Sequence, residues 1–297
     1  MERLTVHLDK QPIYDIIFTD EFYSLIGLLE EQHISNRKIC IVTETNVANY
    51  YLDSLTLLLQ DKCTELISFI FPEGEASKTL STVEQLYERL ILSRFDRSDL
   101  LIALGGGVVG DLTGYAAATY LRGIDFIQIP TSLLAQVDSS IGGKTGVDFS
   151  SYKNMVGAFH MPRLVYMNVD TLTTLSDRQF VSGLGEIIKH GLIKDREYFD
   201  WLVSHFKEII NRDKTILTEM VIKSCDIKRR VVEEDPTEQG DRALLNFGHT
   251  LGHAIEKMLN FSYLHGECVA IGSILSSIMS YNMGLISRED LDKIIQL

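Results

Sequence analysis

Cysteine is scarce in this chain: Cys40, Cys63, Cys225 and Cys268 are scattered over 297 residues with no CxxC pair. That spacing argues against a disulfide framework or a cysteine metal site, and reduced thiols are the expectation. Positive charge is also in deficit. Against 41 Asp and Glu stand 28 Lys and Arg, a net charge of −13, which argues against a nucleic-acid backbone or an anionic membrane as main partner. An anionic small molecule would need a local basic pocket. Long apolar runs are missing as well. The first ten residues have no apolar core of signal-peptide length, and the most apolar late stretch, 268–279, contains Gly272, Ser273, Ser276 and Ser277, so it reads as a buried helix. With no leader, span or repeat in view, a cytoplasmic location is expected.

What is present supports full cores. Hydrophobic residues make up 45% of the chain, and its length predicts about two domains. Short strands are predicted over residues 4–8 and 14–18, then over 38–43, 65–71, 100–104, 125–129 and 163–169, alternating with helices. Ser81-Thr-Val-Glu84 reads as a capping box opening a helix whose Val83, Leu86, Tyr87, Leu90 and Ile91 form an apolar face. Such alternation predicts a mostly parallel sheet covered by helices. Beyond Asp170 the strand signal stops. Ser176-Asp-Arg-Gln179 reads as a second capping box, and helices are predicted over 198–211, 214–233, 244–259 and 267–283. The expected architecture is an α/β dinucleotide-binding domain over 1–173 and an all-α metal- and substrate-binding domain over 174–297. A capped helix opens at Ser287 with no stop signal before Leu297, so truncation of the second domain is expected.

The densest chemical signal is Asn246-Phe-Gly-His249-Thr-Leu-Gly-His253-Ala-Ile-Glu256, followed by His265-Gly-Glu267. His249 and His253 are four apart, so a helix would put both on one face. On spacing alone such a pair is more often packed or superficial than a metal site. Upstream, Gly183-Leu-Gly-Glu186-Ile-Ile-Lys189-His190 sets a carboxylate and an ammonium three apart inside an apolar helix, where neither belongs without a partner. One Glu and two His form a donor set suited to a catalytic zinc with positions left open.

A second signal lies in the strand-rich half. Residues 101–104 run into Gly105-Gly-Gly-Val-Val-Gly110-Asp111, a match to GxGxxG that opens an apolar helix. Glycines let phosphate approach the backbone, and a helix N-terminus offers free N–H groups. The motif is not in the first βα unit, and Pro130-Thr131-Ser132 stands where the ribose-binding acid is expected. A tight structural turn would also explain the glycines. Polar clusters at other predicted strand ends, Thr43-Glu44-Thr-Asn46 and Glu73-Gly74-Glu75-Ala-Ser-Lys78, favour a nucleotide, with NAD expected, because ligands of open α/β sheets bind at those ends. Gly142-Gly-Lys144-Thr145 imitates the end of a P-loop, but Asp138 replaces its first glycine, which rules that motif out. Arg122, Lys144, Lys153, Lys228 and Arg242 recur near polar or glycine turns; each alone reads as a solvated surface charge.

As an ordered set these motifs, with Gln136-Val-Asp138-Ser-Ser-Ile-Gly-Gly-Lys144 and Lys153-Asn154, resemble 3-dehydroquinate synthase, a sugar phosphate cyclase family, over nearly the whole chain. Departures are mild: Glu44 and Ser132 stand where the family often has Asp and Thr, and Gly185 where Ala is frequent. The resemblance implies a dehydroquinate synthase-like fold, NAD and Zn2+ or Co2+ as cofactors, and a homodimer. It implies conversion of 3-deoxy-D-arabino-heptulosonate 7-phosphate to 3-dehydroquinate and phosphate, in the shikimate pathway, through transient oxidation, phosphate elimination, reduction and aldol closure.

The implied metal ligands are Glu186, His249 and His265, with His253 a nearby polar group. Lys153, Asn154, Arg122 and His253 would bind the phosphate region; Lys144, Lys228, Arg242 and Asn246 would face the carboxylate and hydroxyls. Asp138 and Lys144 would lie beside the nicotinamide, and Lys189, Asn246, Glu238 and His253 complete the catalytic set with them. NAD would be held by Glu44, Asn46, Glu73, Gly74, Glu75, Lys78, Gly106, Gly107, Val108, Val109, Gly110, Asp111, Thr131, Ser132, Lys153 and the junction Thr171-Leu172-Thr173-Thr174. Family chains continue further and carry a basic substrate contact near their C-terminus. The rival readings are an NAD- and metal-dependent polyol or glycerol-phosphate dehydrogenase, a different sugar phosphate cyclase, and an inactive fragment that binds NAD and zinc.

Overall fold

A computed structural model describes residues 1–150, 152–259 and 262–297. Two compact units divide the chain, Met1–Thr171 and Leu172–Leu297. The division falls two residues before the expected 173.

The first unit is a sheet in the order β1-β2-β9-β6-β5-β3-β4. Its strands are β1 (Glu2–Leu8), β2 (Gln11–Thr19), β3 (Lys38–Glu44), β4 (Glu65–Phe71), β5 (Leu100–Gly105), β6 (Asp125–Pro130) and β9 (Leu164–Asn168). All neighbours are parallel except β1 with β2. The period-two alternation of the central strands divides the core into two layers. Ile39 and Ile41 of β3, with Leu100, Ile102 and Leu104 of β5, pack against α1 (Leu25–Glu30) and α2 (Thr45–Leu59) through Leu25, Leu29, Leu52 and Leu55. Cys40, Val42, Leu101 and Ala103 face the other way, onto Val83, Leu86, Val109 and Leu112 of α3 (Leu80–Leu92) and α4 (Gly107–Thr119). Burial on both faces explains why these strands are near-continuous apolar runs.

Strand order reverses between β3 and β5, since β4 lies on one side of β3 and β5 with β6 on the other. The carboxyl ends of β3 and β5, at Glu44 and Gly105, therefore flank the switch point where ligands of such sheets bind.

Several local expectations fail for physical reasons. Two strands, β7 (Lys144–Phe149) and β8 (Tyr152–Phe159), pair as a hairpin, where turns are expected; Gly142, Gly143, Gly146 and Asn154 read as turn residues, although Lys144, Gly146 and Asp148 alternate with Thr145, Val147 and Phe149 as a strand requires. α3 is capped by Thr79, whose side chain accepts from Thr82 N, and not by Ser81. Thr79 is extended just after the 3-10 turn Glu75–Ser77, the conformation a capping residue needs.

The second unit is helical: α5 (Asp177–Lys194), α6 (Arg196–Ser204), α7 (Phe206–Ile210), α8 (Lys214–Glu234), α9 (His249–Met258), α10 (His265–Asn282) and α11 (Arg288–Gln296). Ser176 caps α5 as expected, accepting from Gln179 N. The helix expected over 198–211 breaks at His205. That expected over 244–259 is two pieces, a 3-10 turn Asp241–Asn246 and α9, because Phe247 is extended and Gly248 takes φ 77°. Glycines let these helices touch. A Cβ on Gly252 of α9 would stand 2.9 Å from Cys268 O of α10, while one on Gly272 would overlap Gly248 O and one on Gly266 would overlap Ser182 O of α5. Among the described residues no helix is long and apolar enough to cross a membrane.

Candidate metal centre and nucleotide-binding residues

Because those glycines bring α5, α9 and α10 into backbone contact, one side chain from each can meet. Glu186 comes from the middle of α5, His249 from the first residue of α9 and His265 from the first residue of α10. Their potential ligand atoms all lie within 4.8 Å of one another. His249 Nε2 is 3.6 Å and His265 Nε2 3.5 Å from Glu186 Oε1. Glu186 is fully buried, and neither of its oxygens accepts a hydrogen bond of normal geometry, although the Lys189 ammonium one turn on pairs with Oε2.

Burial pushes the Glu186 carboxyl up, but Lys189, with His265 and His249, outweighs it and holds the pKa well below the usual carboxylate range. His249 is lowered, chiefly by burial, against the pull of Glu186. Its Nδ1 faces Phe247 O at 3.2 Å; with the proton there, the Nε2 lone pair is turned to Glu186. An anionic carboxylate with unfilled lone pairs and two neutral imidazoles converging on it fit a divalent cation of the zinc type.

Although four residues apart on one helix, His249 and His253 do not both meet Glu186; the second histidine of that group is His265. His253 is exposed, and it joins a different group, with Glu256 and His265. One helical turn carries it about 6 Å along the axis from His249. The three rings still form a cluster, with centroids 5.2, 5.2 and 5.7 Å apart.

Nearby elements contribute cations. Lys189 on α5, Lys228 on α8 and Arg242 on the 241–246 turn are each at most 6% exposed, and these three elements pack together. Lys189 is paired with Glu186, and all three are cations in a chain of net charge −13. Arg242 Nη1 donates to Pro236 O at 2.6 Å. Asn246 Nδ2 donates to Glu238 Oε1 at 2.9 Å, and Glu238 has φ 58°. Thr173 and Leu172 offer carbonyls to Arg212, and Thr174 follows them.

In the first unit the glycine run is divided by use. Gly105 ends β5, where a Cβ would meet Val109 Cγ2 at 2.5 Å, and at Gly110 one would meet Gln128 Oε1 at 2.7 Å. Those two serve strand-helix packing. Gly106 caps α4 and Gly107 begins it; there a Cβ would meet only the Ser132 and Ser139 hydroxyls, at 3.3 and 3.0 Å. The first-turn N–H groups, Val108 included, have no carbonyl partner four residues back within the helix, as at any helix N-terminus. Val109 is 1% exposed and packs in the core, so only its backbone is available to a ligand.

Buried Lys78 pairs with Asp111 Oδ2 of α4 at 2.6 Å, with Asn154 Oδ1 at 2.5 Å and with Glu75 at 3.9 Å. Burial lowers the Lys78 pKa, but Asp111 and Glu75 raise it further, so the ammonium is retained. Asn154 reaches this place through φ 55° and a hydrogen bond from its N–H to Asp148 Oδ1 at 2.8 Å. Gly74, at φ 96°, turns the chain between Glu73 and Glu75.

Other expected nucleotide residues have structural partners. Glu44 caps α2, accepting from Asn46 N at 2.6 Å and Val47 N at 2.8 Å. Thr171 is buried, its hydroxyl donating to Asn168 O at 2.7 Å and accepting from Gln136. Thr131 N donates to Gly105 O, tying β6 to the glycine run. Asp138 lies in a π-turn, Ala135–Ser139. Lys144 opens β7 and Lys153 is in β8. Arg122 is exposed at the end of a 3-10 turn, where it and Leu121 have φ 71° and 49°.

Residues 68–182 match the family model for the N-terminal part of 3-dehydroquinate synthase, and residues 183–297 that for its C-terminal part. The chain is 45% identical to the 3-dehydroquinate synthase of Acetivibrio thermocellus over 99% of its own length and 81% of that protein's. It is 45% identical to that of Nitrosospira multiformis over 100% and 82%.

Among solved structures, 2-deoxy-scyllo-inosose synthase complexed with carbaglucose-6-phosphate, NAD+ and Co2+ superimposes with TM-score 0.91 at 25% identity, covering 99% of this chain and 80% of that one. A 2-epi-5-epi-valiolone synthase from Streptomyces hygroscopicus with NAD+ and Zn2+ bound gives 0.89 at 28%, covering 99% and 81%. An iron-containing alcohol dehydrogenase from Thermotoga maritima shares the fold at TM-score 0.69 and 16% identity, over 95% and 81% of the two chains. With both halves matched and relatives aligned over nearly all of it, the chain belongs to the 3-dehydroquinate synthase family.

Proposed function

We propose that this protein converts 3-deoxy-D-arabino-heptulosonate 7-phosphate to 3-dehydroquinate and phosphate, with NAD and a zinc or cobalt ion as cofactors. The convergence of Glu186, His249 and His265 in a family of that activity carries the reading. When bound, the cation supplies Lewis acidity at the substrate's hydroxyl oxygens and NAD a reversible hydride acceptor, so that the cycle ends with NAD restored.

The protein's own groups do the rest. Gly106, Gly107 and the first turn of α4 receive the dinucleotide phosphates, and Lys78, held by Asp111, fixes the charge beside them. Glu75, Thr131, Ser132, Asp138 and Lys144 complete the cofactor set. Lys153, Asn154, Arg122 and His253 take the substrate phosphate. Lys228, Arg242 and Asn246, the last held by Glu238, take its carboxylate and hydroxyls. Lys189 keeps Glu186 anionic for the cation. Orientation and fixed charge, rather than a strong protein base, accomplish elimination and ring closure. The protein acts in the cytoplasm as a homodimer, like the soluble biosynthetic enzyme its family implies.

Identity favours this substrate over those of the other carbocycle-forming synthases, at 45% to the first group against 25% and 28% to the second. Phosphate release and NADH absorbance followed in one cuvette, with NAD and zinc present, test it. Phosphate without net NADH is expected. Accumulating NADH would identify a dehydrogenase, and absence of phosphate release would overturn the proposal.

A further inference from the structure

α9 carries a third polar residue in line with its two histidines. Glu256 follows His253 by three positions and His249 by seven, spacings that keep all three on one side of a helix. Unlike His253 it is buried, at 3% exposure. A buried carboxylate is costly unless it is engaged. The group it faces is the imidazole of His265: Glu256 Oε2 is 3.9 Å from Nδ1, while Nε2 of the same ring is 3.5 Å from Glu186 Oε1.

The ring therefore stands between two carboxylates with one nitrogen toward each. A neutral imidazole has one N–H and one lone pair, so whichever carboxylate takes the proton leaves the other nitrogen free to bind. We propose that Glu256 is a positioning residue for the metal centre, holding the His265 proton on Nδ1 so that the Nε2 lone pair points into the group formed with Glu186 and His249. This inference rests on the reading of those three residues as cation ligands.

The two imidazoles are then oriented in different ways. His249 has a backbone carbonyl, Phe247 O, at its Nδ1; His265 has a carboxylate, which raises ligand basicity more than a neutral acceptor does. The distance of 3.9 Å exceeds a hydrogen bond, so binding of the cation is accompanied by a small ring movement that closes it. Glu256 with His253 and His265 also has ligand atoms within 4.8 Å, and a second cation there is the outcome the test must separate.

Metal-free full-length chain is titrated with zinc against a chromogenic chelator, in the unsubstituted protein and in Glu256→Gln, Glu256→Asp and His249→Ala. One zinc per chain is expected, with affinity roughly 10- to 100-fold weaker in Glu256→Gln and partly recovered in Glu256→Asp. Cobalt-loaded Glu256→Gln should show a shifted visible absorption band, which a purely structural role would not produce. Unchanged affinity and an unchanged band would overturn the role of Glu256 and leave the metal centre standing. Two zinc ions per chain, with one lost in Glu256→Gln, would replace positioning by ligation. Full zinc retention in His249→Ala would instead sink the ligand reading itself. Should Glu256→Gln not fold, long-range 1H–15N correlation of the metal-free unsubstituted chain decides: His265 protonated on Nδ1 supports the proposal, and protonated on Nε2 refutes it.

Discussion

Glycine serves opposite ends in the two units. In the α/β unit, Gly106 and Gly107 leave backbone N–H groups open at the start of α4, and an added Cβ there meets only hydroxyl tips of Ser132 and Ser139. In the helical unit, Gly252, Gly266 and Gly272 are filled by neighbouring backbone, and the space they save lets α5, α9 and α10 bring Glu186, His249 and His265 together. One set makes room for something that arrives; the other brings together what is already there. The first feature lies within one short segment of sequence, whereas the second depends on three helices remaining in contact.

The sharpest way to break that comparison is at the centre of the helical unit. Glu186→Ala removes a ligand and leaves Lys189, whose side chain is 2% exposed, without its buried partner. Loss of zinc and a destabilisation of about 3–5 kcal/mol are expected, with NAD binding retained by the other unit. Chelator competition and chemical denaturation measure the two effects. A zinc-free variant as stable as the parent would mean that the Glu186–Lys189 pair contributes nothing to the fold.

How legible this division is in sequence depends on what each element needs. β3 and β5 are apparent because burial on both faces demands continuous apolar runs, and the glycine run after β5 because phosphate cradles have a recognisable spacing. The order of motifs pointed to Glu186, His249 and His265 through family likeness; helical periodicity alone paired His249 with His253. The reason is that His265 meets them through the contact of α9 with α10, a tertiary fact without a local period. Gly248 hid a break in an otherwise helical stretch, since nothing local distinguishes a helical glycine from one at φ 77°. Glu256 could have been noticed by its spacing from His249, but only burial and the facing Nδ1 give it a role. The β7–β8 hairpin is obscured by Gly142, Gly143, Gly146 and Asn154, which read as turn residues, although the alternation along β7 is that of a strand.

A paired substitution sharpens the comparison at intermediate cost. Gly272→Ala drives a methyl into Gly248 O, a backbone atom that cannot turn aside, so about 1–3 kcal/mol of stability and most zinc affinity should be lost. Gly107→Ala meets only Ser139 Oγ at 3.0 Å, which can rotate away. Its thermal midpoint should be unchanged while the NAD dissociation constant rises about tenfold, equivalent to about 1.4 kcal/mol. Calorimetric titration with each ligand distinguishes them. Equal losses of stability in both variants would erase the proposed difference between open and filled glycines.

The smallest expected effect is on acidity, and it belongs to the helical unit alone. Burial holds His249 below its usual 6.5, and Lys189 with the two histidines holds Glu186 well below 4.5 against the upward push of its own burial. A group whose pKa falls on folding stabilises the native state fully above its unfolded value and loses that contribution as pH drops through the folded value. Metal-free protein should therefore keep its His249 contribution from neutral pH down to about 6.5 and lose it progressively below, with the Glu186 contribution following only below about 4.5. Zinc makes the first loss steeper, because protons then compete with the cation for the same lone pairs. Thermal midpoints of the unsubstituted chain and His249→Asn, each with and without zinc, test this across pH 5 to 7. A slope that persists unchanged in His249→Asn would assign the acid sensitivity elsewhere and leave the imidazole neutral for reasons other than its burial beside Lys189.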